Sequence, residues 1–212
     1  MQASPLTSTL TRDTRDEALD AVRGSFLSHA FSFSPRWLGG DSGYIKYFGQ
    51  YFRYIPLQPP RREPFTGELL RPRFVYAGGI RIGLAHGVNG DLVPLSERFF
   101  AGGSTTLRGY AQNAVGPIGA DGVPDGGAAL LVINNEVRFP LVWLFDGAAF
   151  VDAGNVYSNV SDFSFGNLRT DGGVGLRVRT PWFLVRLDYG IPFNPRAGEP
   201  KSRLFFSIGQ AF

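Results

Sequence analysis

FVYAGGIRIGLA, residues Phe74–Ala85, alternates in character from end to end. Its even positions are Phe74, Tyr76, Gly78, Ile80, Ile82 and Leu84, and its odd positions are Val75, Ala77, Gly79, Arg81, Gly83 and Ala85. One face is large and greasy; the other is small or charged. A period of two is the signature of a strand with two unlike surroundings.

The pattern recurs along the chain. Val174, Leu176 and Val178 stand opposite Gly175, Arg177 and Arg179, and Phe183, Val185, Leu187 and Tyr189 stand opposite Leu184, Arg186 and Asp188. Leu131, Ile133, Val137 and Phe139 share one side, with Asn134, Glu136 and Arg138 on the other. In Gly24–Ser34, Leu27, Phe31 and Phe33 share a face with His29, and Tyr44–Ile55 is aromatic on both faces. About nine strands are expected: Leu6–Thr11, Gly24–Ser34, Tyr44–Ile55, Phe74–Ala85, Ala129–Phe139, Leu144–Gly154, Thr170–Thr180, Trp182–Ile191 and Leu204–Phe212. Neighbours are expected to pair antiparallel, so the fold class is all-β.

Two architectures fit such strands. In a soluble β-sandwich the greasy face is a core; in an outer-membrane barrel it meets lipid while the polar face lines a lumen. Soluble strands run mostly to five or six residues, whereas a membrane strand needs about 9–11, and several segments here are that long. The polar faces hold Gly, Ala, Asn, Arg and Asp, as a lumen does. Tyr44, Tyr54, Trp143, Trp182 and Tyr189 sit near strand ends, where an interfacial aromatic girdle belongs. Short turns at Asp13–Arg23 and Pro140–Trp143 are expected at one end. Longer connections at Leu57–Arg73, His86–Ala128, Tyr157–Arg169 and Pro192–Arg203 are expected at the other. The membrane barrel is the favoured reading.

Composition closes off other classes. The 212 residues include no Cys, which removes disulfides, thiolate metal sites and a catalytic thiol. Phe, Trp and Tyr make up 14% of the chain and hydrophobic residues 43%, too many for a disordered segment. The net charge is only +3 and the basic residues are scattered, so no nucleic-acid partner is expected. No apolar run reaches the 18 or so residues of a membrane-spanning helix. Arg12, Asp13, Arg15, Asp16 and Glu17 occupy the region where a signal peptide carries its apolar stretch, so none is expected there. His29 and His86 stand apart without spaced ligands, and no metal or cofactor is expected. Gly102-Gly103-Ser104 lacks the Gly-Lys-Ser/Thr of a phosphate cradle, and Ser104 lacks a hydrolase elbow. No catalytic set emerges.

The insertion His86–Ala128 is far longer than an ordinary connection, and such loops are commonly functional. Its centre reads ERFFAGGSTTLRGY, Glu97–Tyr110. This run resembles the conserved loop of the BamA/TamA-type outer-membrane assembly barrels, the bacterial surface antigen family, whose core is an aliphatic residue, Arg-Gly, then Phe or Tyr. Here that core is Leu107-Arg108-Gly109-Tyr110. NNEVRFPL (Asn134–Leu141), FVDAGNVY (Phe150–Tyr157), LDYGIPF (Leu187–Phe193) and the closing FSIGQAF (Phe206–Phe212) agree in order with the same family.

The resemblance implies a sixteen-stranded barrel behind periplasmic domains, with the Arg-Gly loop folded into the lumen. The chain would be the C-terminal part of that barrel, residues 1–212, with the N-terminal strands and periplasmic domains missing. Carried over, Arg108 would pair with Glu136 and Asp152, whose parity points both inward, and removing Arg108 would strand two buried acids. Gly109 would permit a tight turn and Tyr110 would pack on the lumen wall. Leu204, Phe206, Ile208 and the terminal Phe212 resemble the recognition signal of outer-membrane barrels. The implied function is insertion or translocation of client β-barrels at the bacterial outer membrane. Its partners would be outer-membrane lipid, unfolded clients and accessory assembly proteins, and it would use no bond chemistry. A two-partner secretion transporter of the same superfamily and a soluble β-sandwich binding module are the alternatives.

Overall fold

The computed structural model describes residues 4–142, 144–179 and 184–209. The strands are β1 (Leu6–Asp13), β2 (Gly24–Ser34), β3 (Tyr44–Pro56), β4 (Arg61–Arg62), β5 (Leu69–Leu70), β6 (Val75–Gly87), β7 (Ala129–Pro140), β8 (Phe145–Tyr157), β9 (Arg169–Arg179), β10 (Leu184–Pro192) and β11 (Arg203–Ile208). Nine of them form one sheet in the order β1-β2-β3-β6-β7-β8-β9-β10-β11, every neighbour antiparallel. Among the described residues the sheet is open, because β1 pairs only with β2 and β11 only with β10. The remaining sheet is the two-stranded hairpin β4–β5, so among the described residues no second sheet packs on the first as a sandwich requires. Among the described residues no helix is long and apolar enough to cross a membrane.

Alternation assigns the faces. In β6 the odd residues Val75, Ala77, Arg81 and Ala85 are buried, while Ile80 and Ile82 on the even face are each 36% exposed. Register carries this division across the sheet, since Ile80 lies opposite Ile133 and Ile133 opposite Ala153. The outer face is therefore mainly apolar, with Ile80, Ile82, Val174, Leu187, Leu204 and Phe206 exposed on it. The inner face collects Arg81, Asn134, Glu136, Arg138, Asp152, Asp171, Arg177, Arg186 and Asp188, all buried. A soluble sheet would be polar outside and greasy within, so this inversion identifies lipid as the outer solvent.

The core lies between the inner wall and the long β6–β7 connection. Phe99, Ala101, Leu107, Tyr110 and Val115 of that connection pack against Ala85, Leu130, Val132 and Val156 of the wall. A smaller cluster joins Ala21 of the β1–β2 turn to Phe52, Tyr54 and Ala77. Gly83 lets the Phe99 ring lie flat on β6, because a Cβ there would sit 2.6 Å from the ring.

Two expectations need correction. Tyr44 and Tyr54 are fully buried on the inner face, so they are no part of an outer girdle. Their even parity in β3 is that of Phe48 and Phe52, whereas Tyr47 and Tyr51 point outward. Tyr189 is exposed on the outer face as expected; Trp143 and Trp182 lie outside the described residues. The Leu57–Arg73 connection does not join the long loops. With consecutive antiparallel strands the connections alternate ends, which puts it with the β1–β2 and β7–β8 turns. There Leu57 N–H donates to the Phe74 carbonyl and Arg71 reaches Asp20 of the β1–β2 turn. Of the expected last strand, β11 covers Arg203–Ile208, and Phe212 lies outside the described residues.

Candidate functional site

Two elements build the site: the inward faces of β7–β10 and the turn Ser104–Tyr110 of the long connection. Gly102 and Gly103, both with φ near +100°, fold that turn back on itself. Gly103 N–H donates to the Leu107 and Tyr110 carbonyls, and Thr106 Oγ1 accepts from Gly102 N–H. Leu107, fully buried, anchors the turn in the apolar cluster beside Val132. Arg108 is thereby pushed towards the wall.

Arg108 is 1% exposed and spends its whole guanidinium on two acids. Nε donates to Asp152 Oδ2 at 2.8 Å and Nη2 to Asp152 Oδ1 at 2.9 Å, a two-pronged pair on one carboxylate. Nη1 donates to Glu136 Oε2 at 2.5 Å. The backbone N–H adds a bond to Asp152 Oδ2 at 3.3 Å, and the guanidinium carbon lies 3.6 Å from the Phe150 ring centre. Only Arg has a planar fork that serves two carboxylates and stacks on a ring together.

The acids are unequal. Glu136 also accepts from Arg138 Nε at 2.8 Å and from Arg177 Nη2 at 2.9 Å. Asp152 is otherwise held by the Asn134 side-chain amide at 2.8 Å. Loss of Arg108 thus strands Asp152 rather than both acids, because two arginines remain on Glu136. Asn134 also donates to the Thr106 carbonyl at 2.6 Å and accepts from Arg81 at 2.9 Å, so it ties the turn, the acid and β6 together.

The other motif residues touch the wall directly. A Cβ on Gly109 would lie 2.5 Å from Asp171 Cβ and 2.9 Å from the Pro192 nitrogen, so only glycine fits between β9 and β10. Tyr110 sends its hydroxyl to the Thr170 carbonyl at 3.0 Å and to Asn194 Oδ1 at 2.7 Å. The Arg169 guanidinium stacks 4.6 Å above its ring.

Motif reading missed several participants. Arg177 bridges Glu136 and Asp188, the latter at 2.6 Å. Arg186 donates to the Ser104 carbonyl at 3.4 Å and to Ser207 Oγ at 2.9 Å, which links the turn to β11. Gly190 lies under the turn, where a Cβ would sit 2.4 Å from the Arg108 carbonyl oxygen. Asp171 is fully buried opposite Asp152. Each of these lies on a polar parity already visible in the sequence, and that parity was the available signal. Of the C-terminal set, Leu204, Phe206 and Ile208 are exposed on the outer face of β11 and touch none of this network. Among the described residues no group of three or more His, Cys, Asp or Glu could hold a metal.

A single antiparallel sheet with lipid-type residues outside, ionic residues inside and a connection packed into the lumen defines the class: a transmembrane β-barrel protein of outer membranes. Over residues 2–212 the chain matches the Omp85 superfamily domain, and it belongs to that superfamily. It is 31% identical to the outer membrane protein assembly factor BamA of Nitratidesulfovibrio vulgaris, over 95% of this chain and 25% of that protein. A SAM50-like protein of Schizosaccharomyces pombe is 28% identical over 88% of this chain and 40% of its own length. Outer envelope protein 39 of Arabidopsis thaliana chloroplasts is 28% identical over 75% and 42%. The crystal structure of BamA from Haemophilus ducreyi lacking POTRA domains 1–3 superposes with a TM-score of 0.76 at 20% identity, over 97% of this chain and 42% of that one. The chain thus spans between a quarter and about two fifths of the relatives it matches.

Proposed function

We propose that the protein is an outer-membrane assembly factor that inserts client β-barrels into the bilayer. The observation that carries this reading is the likeness to an assembly factor, BamA, along 95% of the chain. The lumen geometry supports it. In this reading Leu107-Arg108-Gly109-Tyr110 is a lock that holds the long connection against the wall, with Glu136 and Asp152 as the receivers of Arg108. The terminal strand, with Leu204, Phe206 and Ile208 on its lipid face, is the edge beside which a client strand pairs. Backbone hydrogen bonds would drive that pairing, since an unpaired edge in lipid leaves every second amide and carbonyl unsatisfied. Its partners are unfolded outer-membrane barrels, accessory assembly proteins and the strands and periplasmic domains of the full protein.

The test is reconstitution of the full-length protein in liposomes, with several unrelated urea-denatured barrels offered in turn. Folding is read from the heat-modifiable gel shift of each client. An assembly factor accelerates many clients over empty liposomes. Transport of one secreted substrate with no effect on any barrel would replace this reading by two-partner secretion.

A further inference from the structure

The outer face of β3, β6 and β7 carries a shallow cleft of about 210 Å³ with an unusual lining for a lipid-facing surface. Ile80 and Ile133 form its apolar half, and Arg53, Tyr76 and Asn135 form its polar half around Gly78. The Tyr76 ring lies over Gly78, where a Cβ would sit 2.6 Å from the hydroxyl oxygen, and that hydroxyl donates to Asn135 Oδ1 at 2.7 Å. Tyr76 is therefore pinned as a wall. Asn135 keeps its amide hydrogens for another acceptor.

Arg53 is exposed, its backbone is paired in the sheet, and among the described residues its guanidinium makes no hydrogen bond or ion pair. No acid lines the cleft. A guanidinium facing hydrocarbon is costly at mid-bilayer and nearly free at the interface. Arg53 stands three residues before the end of β3, Pro56. At about 3.3 Å per residue and a tilt near 40°, its Cα is roughly 7–8 Å inside the strand end. From there the side chain reaches headgroup level. Ile80 and Ile133 lie further along their strands from that same end, and so deeper in the bilayer. The cleft runs from a lone cation at the interface to apolar side chains in the hydrocarbon.

We infer that this cleft is a binding site for one glycerophospholipid, its phosphodiester on Arg53 and Asn135 and an acyl chain over Ile80 and Ile133. Arg matches a phosphate oxygen pair with its fork, in charge-assisted hydrogen bonds. The short β7–β8 turn marks this strand end as the periplasmic one, so the leaflet is the phospholipid leaflet. The inference is independent of the assembly reading.

Native mass spectrometry of the full-length protein released from phosphatidylglycerol-containing nanodiscs tests it. The expected result is one retained phosphatidylglycerol. Arg53→Gln should weaken retention by about tenfold, a loss of about 1.4 kcal/mol, and Arg53→Lys should keep part of it. Arg12→Gln, an exposed arginine on the outer face of β1, should change nothing. Equal retention by wild type and Arg53→Gln, equal loss in Arg12→Gln, or preferential retention of lipid A would each overturn the site. If Arg53→Gln does not fold, wild type alone decides: it should keep phosphatidylglycerol and release diacylglycerol, and equal retention of the two overturns the proposal.

Discussion

Asp152 has two side chains for support, Arg108 and Asn134, whereas Glu136 has three arginines. This inequality sets what substitution does. Arg108→Ala leaves a buried carboxylate with no charged partner, only the Asn134 amide and the backbone N–H of residue 108, and broken buried pairs cost about 3–5 kcal/mol. The loss should appear as a lower temperature for the heat-modifiable gel transition. Asp152→Asn in the Arg108→Ala background removes the stranded charge and should recover a measurable part of the loss. Glu136→Gln in that background should not, because it leaves Arg138 and Arg177 short of their acid. A recovery equal in both double variants would show that the two receivers are equivalent. Gly190 tests the same contact without touching charge. Gly190→Val would place atoms against the Arg108 carbonyl, 2.4 Å from an added Cβ, and should release the turn to added protease while the strands persist. Much of this was readable from the motif: Arg108, Glu136 and Asp152 stand out by type and parity. Gly190, Arg177 and Arg186 share the polar parity of their strands, but their place under the turn depends on the register of β9 against β10, which no local pattern encodes.

The elements that cap the lumen act at the two strand ends. At the short-turn end the β1–β2 turn folds inward, so that Ala21 is fully buried and Asp20 meets Arg71 and, at 3.8 Å, Arg138. Arg138 also donates to the Ala21 carbonyl at 3.2 Å. Since Arg138 shares Glu136 with Arg108, one chain of charges joins this turn to the long connection. Asp20→Ala should therefore loosen the turn, with a cost of about 1–3 kcal/mol, and raise proteolysis between Thr14 and Arg23. Unchanged cleavage would mean that Asp20 does not hold the turn, leaving it to the packing of Ala21 and Val22 and the hydrogen bonds of Asp16. At the other end Arg36 and the Gly43 N–H hold Asp91, and both depress its carboxyl below the usual range. A depressed folded-state value stabilises the clasp above the ordinary carboxylate range and loses that contribution as pH falls through the folded value. Amide exchange in residues 35–43 should consequently rise in acid below about pH 4, and Asp91→Asn should abolish the dependence. Strand parity was legible because a period of two survives any register, as Phe74–Ala85 illustrates. The end to which Leu57–Arg73 belongs was not, because loop length suggested one side and strict antiparallel order imposed the other.

The whole sheet has two edges, β1 and β11, and lipid does not tolerate their unpaired amides. Closing nine strands directly on themselves is no solution. A barrel of about eight strands is only wide enough for its own inward side chains. Here the inner face also holds the folded connection between β6 and β7, with Phe99, Leu107, Arg108, Tyr110 and Val115 all buried in it. A lumen of that capacity needs a larger circumference, so further strands must pair with β1 and β11. The isolated 212-residue chain, refolded in detergent, is therefore expected to satisfy its edges with other copies or to remain unfolded. Two copies would supply eighteen strands. Sedimentation in density-matched detergent, paired with the heat-modifiability assay, checks this. A folded monomer that still protects the long connection from protease would contradict the argument, because it would require a nine-stranded wall to enclose a lumen that its circumference cannot provide.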